Sequence, residues 1–165
     1  MSASLPYSPA GDDPGTGAPS AHVGLLAHLD TVYGFAITLT GDPEAAAELT
    51  ENVYASARDG LWATLGGHGL RDRLLARCVS LFVEMGSPQG IEAPAARGGA
   101  ERPPRLDALL RALPWDERAA IALVDQLQSS YVAAAAVLGV EATELRDLLH
   151  RGRAVLFAAF RAGAR

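Results

Sequence analysis

The sequence contains no lysine: all 14 of its basic residues are arginine, set against 19 acidic residues for a formal net charge of −5. That excludes any device built on a lysine amine, the phosphate-cradling loop that ends in Gly-Lys-Ser/Thr among them. The short glycine-rich stretch Gly66-Gly67-His68-Gly69 therefore reads as a flexible turn. An acidic balance also disfavours a protein held on nucleic acid by bulk charge alone. Cysteine occurs once, at Cys78. No intrachain disulfide can form, and a reducing cytoplasm is the expected compartment. Nothing near Cys78 in sequence would activate it, so it reads as a small core residue. No apolar run approaches the ~20 residues needed to span a bilayer. The N-terminal stretch lacks the basic start and apolar centre of a signal peptide. His22, His28, His68 and His150 have no zinc-site spacing, and no nucleophile-elbow, dinucleotide or metalloprotease motif occurs. These absences argue against an enzyme, and no metal or cofactor is expected.

What is present is an apolar fraction of 49%, arranged with helical period, while the 17 Gly and 10 Pro gather outside the periodic segments. Residues 1–21 are rich in Ser, Pro, Gly and Asp and are expected to be a disordered tail. Val23 to Leu39 reads as an amphipathic helix with Leu25, Leu26, Leu29, Val32, Tyr33, Ala36 and Ile37 on its apolar side. The stretch Thr40-Gly41-Asp42-Pro43 ends it, and Asp42 with Pro43 supplies an N-cap and first-turn proline for a helix to about Arg58. Trp62 follows, in a stretch without a clear period. Leu70 to Met85 makes a third helix. Residues 86–104 are a Gly/Pro/Ala linker. Beyond it, Leu106, Leu109, Leu110 and Leu113 open a second set of helices. Pro114 starts the next, with Asp116 and Glu117 in its first turn, and Ile121, Leu123, Val124 and Leu127 carry it on. The fold class is all-α: two small helical domains, residues 22–85 and 105–165, joined by the linker. Each is near the size at which a lone core is marginal.

The segment Tyr131–Leu156 is the most informative. Ser130 can cap a compact Ala-rich helix, Gly139 supplies a corner, Val140 turns back toward the core, and Leu145, Leu149 and Leu156 stripe a second helix. That is the pattern of a helix-turn-helix, whose second helix enters the DNA major groove. Charge agrees weakly: residues 1–100 hold 5 Arg against 11 acidic residues, and residues 101–165 hold 9 Arg against 8.

Two stretches give the chain a family likeness. Ala36–Tyr54, AITLTGDPEAAAELTENVY, and Leu113–Leu156, with its LGV and HRGRAVL, resemble the second and fourth conserved regions of bacterial sigma factors of the extracytoplasmic-function class. The resemblance covers about residues 22–160. It implies a factor that binds core RNA polymerase, directs it to promoter DNA and performs no chemistry, with an anti-sigma factor as a possible further partner. It places polymerase contact on Glu48, Leu49, Glu51, Asn52 and Tyr54. It places DNA contact on Thr143, Arg146, Asp147, His150, Arg151 and Arg153, with Glu144 and Leu148 beside them.

The sequence departs from the family at Ala47 and Glu51, where Glu and Gln are usual. It departs again at Glu144 and at Asp147-Leu148, where Thr and Ser-Arg are usual. Carboxylates at a helix N-terminus favour the helix through its dipole and repel phosphates. Along Leu70–Met85, Arg71, Arg73 and Arg77 offer charge for a displaced DNA strand, but Cys78 and Phe82 stand where the family has Asn and Asp. An alternative reading follows: a sigma-like adaptor or decoy that binds a protein partner without recognising a promoter.

Overall fold

The computed structural model describes residues 24–58, 69–86 and 106–163. The N-terminal tail, Trp62 with most of the glycine-rich turn, and nearly all of the linker lie outside the described residues. The expected long first helix is divided. A single turn at Gly24–Leu26 is followed by α1, Leu29–Thr40. The carbonyl of Leu25 accepts from His28 N at 3.2 Å and from the Tyr54 hydroxyl at 3.1 Å, so it is spent on a tight turn and a distant phenol. His28 lends α1 no side-chain cap.

The corner into α2, Pro43–Arg58, follows the sequence closely. Gly41 takes the left-handed conformation at φ 69°, and its N–H closes the end of α1 on Ile37 O at 2.8 Å. Asp42 Oδ2 accepts from Ala45 N at 2.8 Å, satisfying one orphan donor of α2. The Thr40 hydroxyl donates to Ala36 O and accepts from Asp42 N, which ties the corner from inside. Next comes α3, Leu70–Glu84, burying Leu74, Leu75, Cys78, Val79 and Phe82.

The C-terminal part consists of α4, Leu106–Arg111, then α5, Trp115–Ile121, α6, Tyr131–Leu138, and α7, Ala142–Gly163. The sequence anticipates α5 running on as a regular helix. Instead Ala122–Gln126 forms a π turn, in which Leu127 N reaches Ala122 O at 2.9 Å. The segment then leaves through Gln128 at φ 53°. A π turn inserts one residue, and each residue turns a helix by about 100°. Side chains after Ile121 therefore point where a regular helix would not send them.

The two sets of helices form one continuous core. α6 lies on α3 and α5 reaches α1, with Val32, Leu39, Leu49 and Leu75 packed in the same buried cluster as Leu113, Leu123, Leu145 and Leu149. Phe82 of α3 meets Trp115 of α5 edge to face at 5.9 Å. Arg71 of α3 donates to Ser129 Oγ at 2.7 Å and Leu127 O at 3.3 Å. Most unusual is Arg118, 2% exposed. Its guanidinium donates to Leu39 O at 2.8 Å, Arg111 O at 3.0 Å and Leu113 O at 3.2 Å. Leu39 O belongs to the last turn of α1, where orphan carbonyls and the dipole both favour a cation. The price of burial is visible in two ways: Nε has no partner, and desolvation, then the nearby Arg111 charge, pull the Arg118 pKa down.

Candidate nucleic-acid interface

The helix-turn-helix is built from α6 and α7. Ser130 Oγ accepts from Ala133 N at 3.1 Å, the half-complete cap that the sequence suggests. At the other end Gly139, φ 68°, gives its N–H to Ala136 O and Val140 gives its N–H to Ala135 O at 3.1 Å. This pair is the Schellman closure, and it requires a residue at ease with positive φ. Val140 is half-buried against the core, while Leu145, Leu148 and Leu149 fix the inner side of α7. Leu148 therefore cannot lie on the outer face where the family resemblance puts it.

The rotation of α7 is set by its crossing with α5. Gly152 is buried there, and a Cβ would stand 2.7 Å from Ile121 Cδ1 and 3.4 Å from Glu117 Cβ. Only glycine permits the approach without repacking. With that crossing fixed, Thr143, Glu144, Arg146, Asp147, His150, Arg151 and Arg153 are all exposed. Arg146 makes no ion pair within 4 Å among the described residues. Arg151 Nε donates to Glu117 Oε1 at 2.8 Å, and Arg153 holds Asp125 with two bonds, Nη2–Oδ1 at 2.6 Å and Nε–Oδ2 at 3.1 Å. The bond from Glu117 raises the Arg151 pKa. Bonds to Asp125, and after them the nearby Tyr131 hydroxyl, raise that of Arg153. Tyr131, Arg146, Asp147, His150, Arg153 and Phe157 together line one side groove along α7.

Three residues of this face are not apparent from sequence. Asp125 is brought to α7 by the π turn, which periodicity does not reveal. Glu117 shows in the sequence only as a first-turn acid, yet it is 7% exposed. Tyr131 begins what the sequence presents as a packing helix, and it is 42% exposed. The one available signal is Asp125, an acid in the mostly apolar run of residues 119–127.

A second face lies on α2. Glu48, Glu51 and Asn52 are exposed and Tyr54 is half-buried, its phenol pKa raised by burial and then by the Asp30 charge. Leu49 is 0% exposed, so it offers no surface to a partner in this arrangement. It packs into the core four residues before Val53, as helical period dictates. Beside this face an open apolar groove runs between α1 and α2, floored by Leu26, Leu29, Tyr33 and Ala47 and edged by Asp30 and Glu51. Leu26 and Leu29, expected on the buried side, are 61% and 41% exposed. Among the described residues no cluster of His, Cys, Asp or Glu could hold a metal ion, and no helix is long and apolar enough to cross a membrane.

Among the described residues every element is helical, and the helix-turn-helix leaves the outer face of its second helix open to solvent. Residues 104–156 match the family described as sigma-70, region 4. A search of curated proteins finds no match. Among solved structures, the chain is similar to one in the co-crystal structure of the sigma factor RpoE in complex with the anti-sigma factor NepR from Bartonella quintana. The TM-score is 0.69 and the identity 22%, over 86% of this chain and 97% of that one. At that identity the likeness is one of fold. The region 4 match covers residues 104–156, about a third of the chain, and the rest of the likeness to that sigma factor is one of helical architecture.

Proposed function

We propose that this protein is a sigma-type transcription initiation factor, active in the cytoplasm, that binds core RNA polymerase through α2 and brings it to promoter DNA through α7. The observation that carries this reading is the presentation of α7. The Schellman corner at Gly139 and the crossing at Gly152 turn one face of the helix outward, with Thr143, Arg146, Asp147, His150, Arg151 and Arg153 exposed. Arg146 suits phosphate or guanine, because its fork can donate two parallel bonds. Polymerase contact is assigned to Glu48, Glu51, Asn52 and Tyr54, with Leu49 holding the helix from behind. An anti-sigma factor is a further partner of the same two faces. The adaptor reading, in which the protein does not recognise a promoter, is not favoured. No catalysis is involved, as sigma factors carry none.

The test is a pull-down of core polymerase beside thermal melts. Replacing Glu48 and Glu51 together by Arg should leave stability within about 0.5 kcal/mol, as exposed substitutions usually do. Capture of polymerase should fall sharply, since reversing charges across an interface penalises the partner. A parent protein that captures no core polymerase would reject the initiation reading. Equal capture by parent and double variant would move the contact off this face.

A further inference from the structure

Two ion pairs hold cations of the candidate DNA face, and their surroundings separate them. Glu117 is buried, its side chain 9% exposed, and the Arg151 guanidinium covers its carboxylate. Parting them would strand a charge away from water, so this pair is a fixture of the α5–α7 crossing. Asp125 and Arg153 are 41% and 44% exposed at their side chains. Both can be hydrated when apart, and such exposed pairs contribute little to folding. A DNA phosphate presents the same oxygen geometry to the Arg fork as a carboxylate does.

We infer that Asp125 is a built-in competitor of DNA for Arg153, a residue that sets affinity without touching DNA. The inference rests on the DNA-binding reading of α7. The π turn at Ala122–Gln126 delivers Asp125 to α7, and the Gln128 amide, bonded to Asp125 O at 2.7 Å, steadies that turn. Arg153 also lies beside Tyr131, in the groove that holds Arg146 and His150. While Asp125 holds it, Arg153 is spent within the protein, and Arg146 carries most of the phosphate contact. With asparagine at position 125, Arg153 joins Arg146 on the same strand.

The experiment uses the full chain and a 5′-labelled duplex, followed by fluorescence anisotropy over a salt titration. Asp125→Asn should bind up to about fivefold tighter, the fold-change matching the upper worth of an exposed pair. Its log–log salt slope should steepen by about 0.9, the value for one added phosphate contact on B-DNA. Arg153→Ala should abolish the whole gain when placed in Asp125→Asn, the double variant binding no tighter than Arg153→Ala alone. A merely structural Asp125 would not produce that non-additivity. Parental affinity and slope in Asp125→Asn, with Arg146→Ala weakening binding, would overturn the competitor and leave the DNA face standing. Arg146→Ala and Asp125→Asn both indistinguishable from parent would overturn the DNA face and the competitor together.

Discussion

Arg118→Met removes the charge from the most buried ionic group among the described residues while keeping much of its length. Hydrogen bonds to a charged group contribute roughly 1.5–3 kcal/mol each. Arg118 makes them to three carbonyls, on Leu39, Arg111 and Leu113. Against that gain stands the cost of holding a guanidinium out of water, several kcal/mol for a buried ion. The substitution relieves this cost and abandons three buried acceptors. Each buried acceptor left unsatisfied costs roughly 1–3 kcal/mol, partly offset by the relieved burial of the charge, so we expect a net loss of about 3–5 kcal/mol. That is a large part of the roughly 5–15 kcal/mol that holds a domain folded.

The assay is urea unfolding followed by far-ultraviolet circular dichroism. With a slope near 2 kcal/mol per molar urea, the midpoint should drop by roughly 2 M. Arg118→Lys should fall in between, since a point ammonium cannot reproduce the planar fork. Because one bond crosses to α1 and two stay beside α5, amide exchange should accelerate in both helices of Arg118→Met. Acceleration in α5 alone would refute the tie to α1. A parental midpoint would refute the stabilising role altogether.

Cys78 is buried and its thiol pKa is raised from an ordinary 9.0 to about 12 by desolvation, so it should resist thiol reagents at pH 8 until the protein unfolds. Its folded value lies above its unfolded one, so its share of stability is complete below pH 9.0 and lost as pH rises toward about 12, which an alkaline melt series in parent and Cys78→Ala would show. Gly152→Ala should destabilise by about 1–3 kcal/mol through overpacking, with Ile121→Val restoring part of it in thermal melts. Ser130→Ala should cost about 1 kcal/mol as a lost N-cap, measurable as a lower urea midpoint. Leu49→Ala should lower stability by roughly 2–5 kcal/mol in the same assay, since the side chain is fully buried.

The local devices are legible because their partners sit within a few residues. Asp42 caps α2 from three positions away, Ser130 caps α6 in the same manner, and Gly41 and Gly139 take the corners that only positive φ allows. The buried stripes of α2 and α3 follow from period alone. What the sequence conceals depends on distant groups. Arg118 is bound by a carbonyl 79 residues earlier, Glu117 by an arginine 34 later, and Asp125 by one 28 later. Periodicity sees none of these. It also assumes a constant turn per residue, which the π turn breaks, so the face bearing Asp125 cannot be placed from it. The outward position of Leu148, carried over from family likeness, fails for a related reason. The family pattern gives identity at a site, whereas the crossing at Gly152 sets the rotation.

The shared core also bears on how α3 could serve promoter melting. A displaced strand needs cations and exposed aromatic faces. Arg71 is engaged with Ser129 and Leu127, and Arg77 reaches Ser56 and Glu84, which leaves Arg73 exposed. Phe82 is 3% exposed and sits against Trp115. In this arrangement α3 has one open cation and no open aromatic ring among the described residues. Offering more would require α6 to leave α3 and α5 to leave α1. That motion breaks the bonds of Arg71 to Ser129, the Phe82–Trp115 contact and the bond of Arg118 to Leu39. The free energy for it must come from binding, and only a partner that favours the separated arrangement can supply it. DNA held by α7 alone gains nothing from separation, because its contacts are already exposed. The drive must come from a partner that binds the separated arrangement more tightly than this one, through surfaces now covered or through both sets of helices at once.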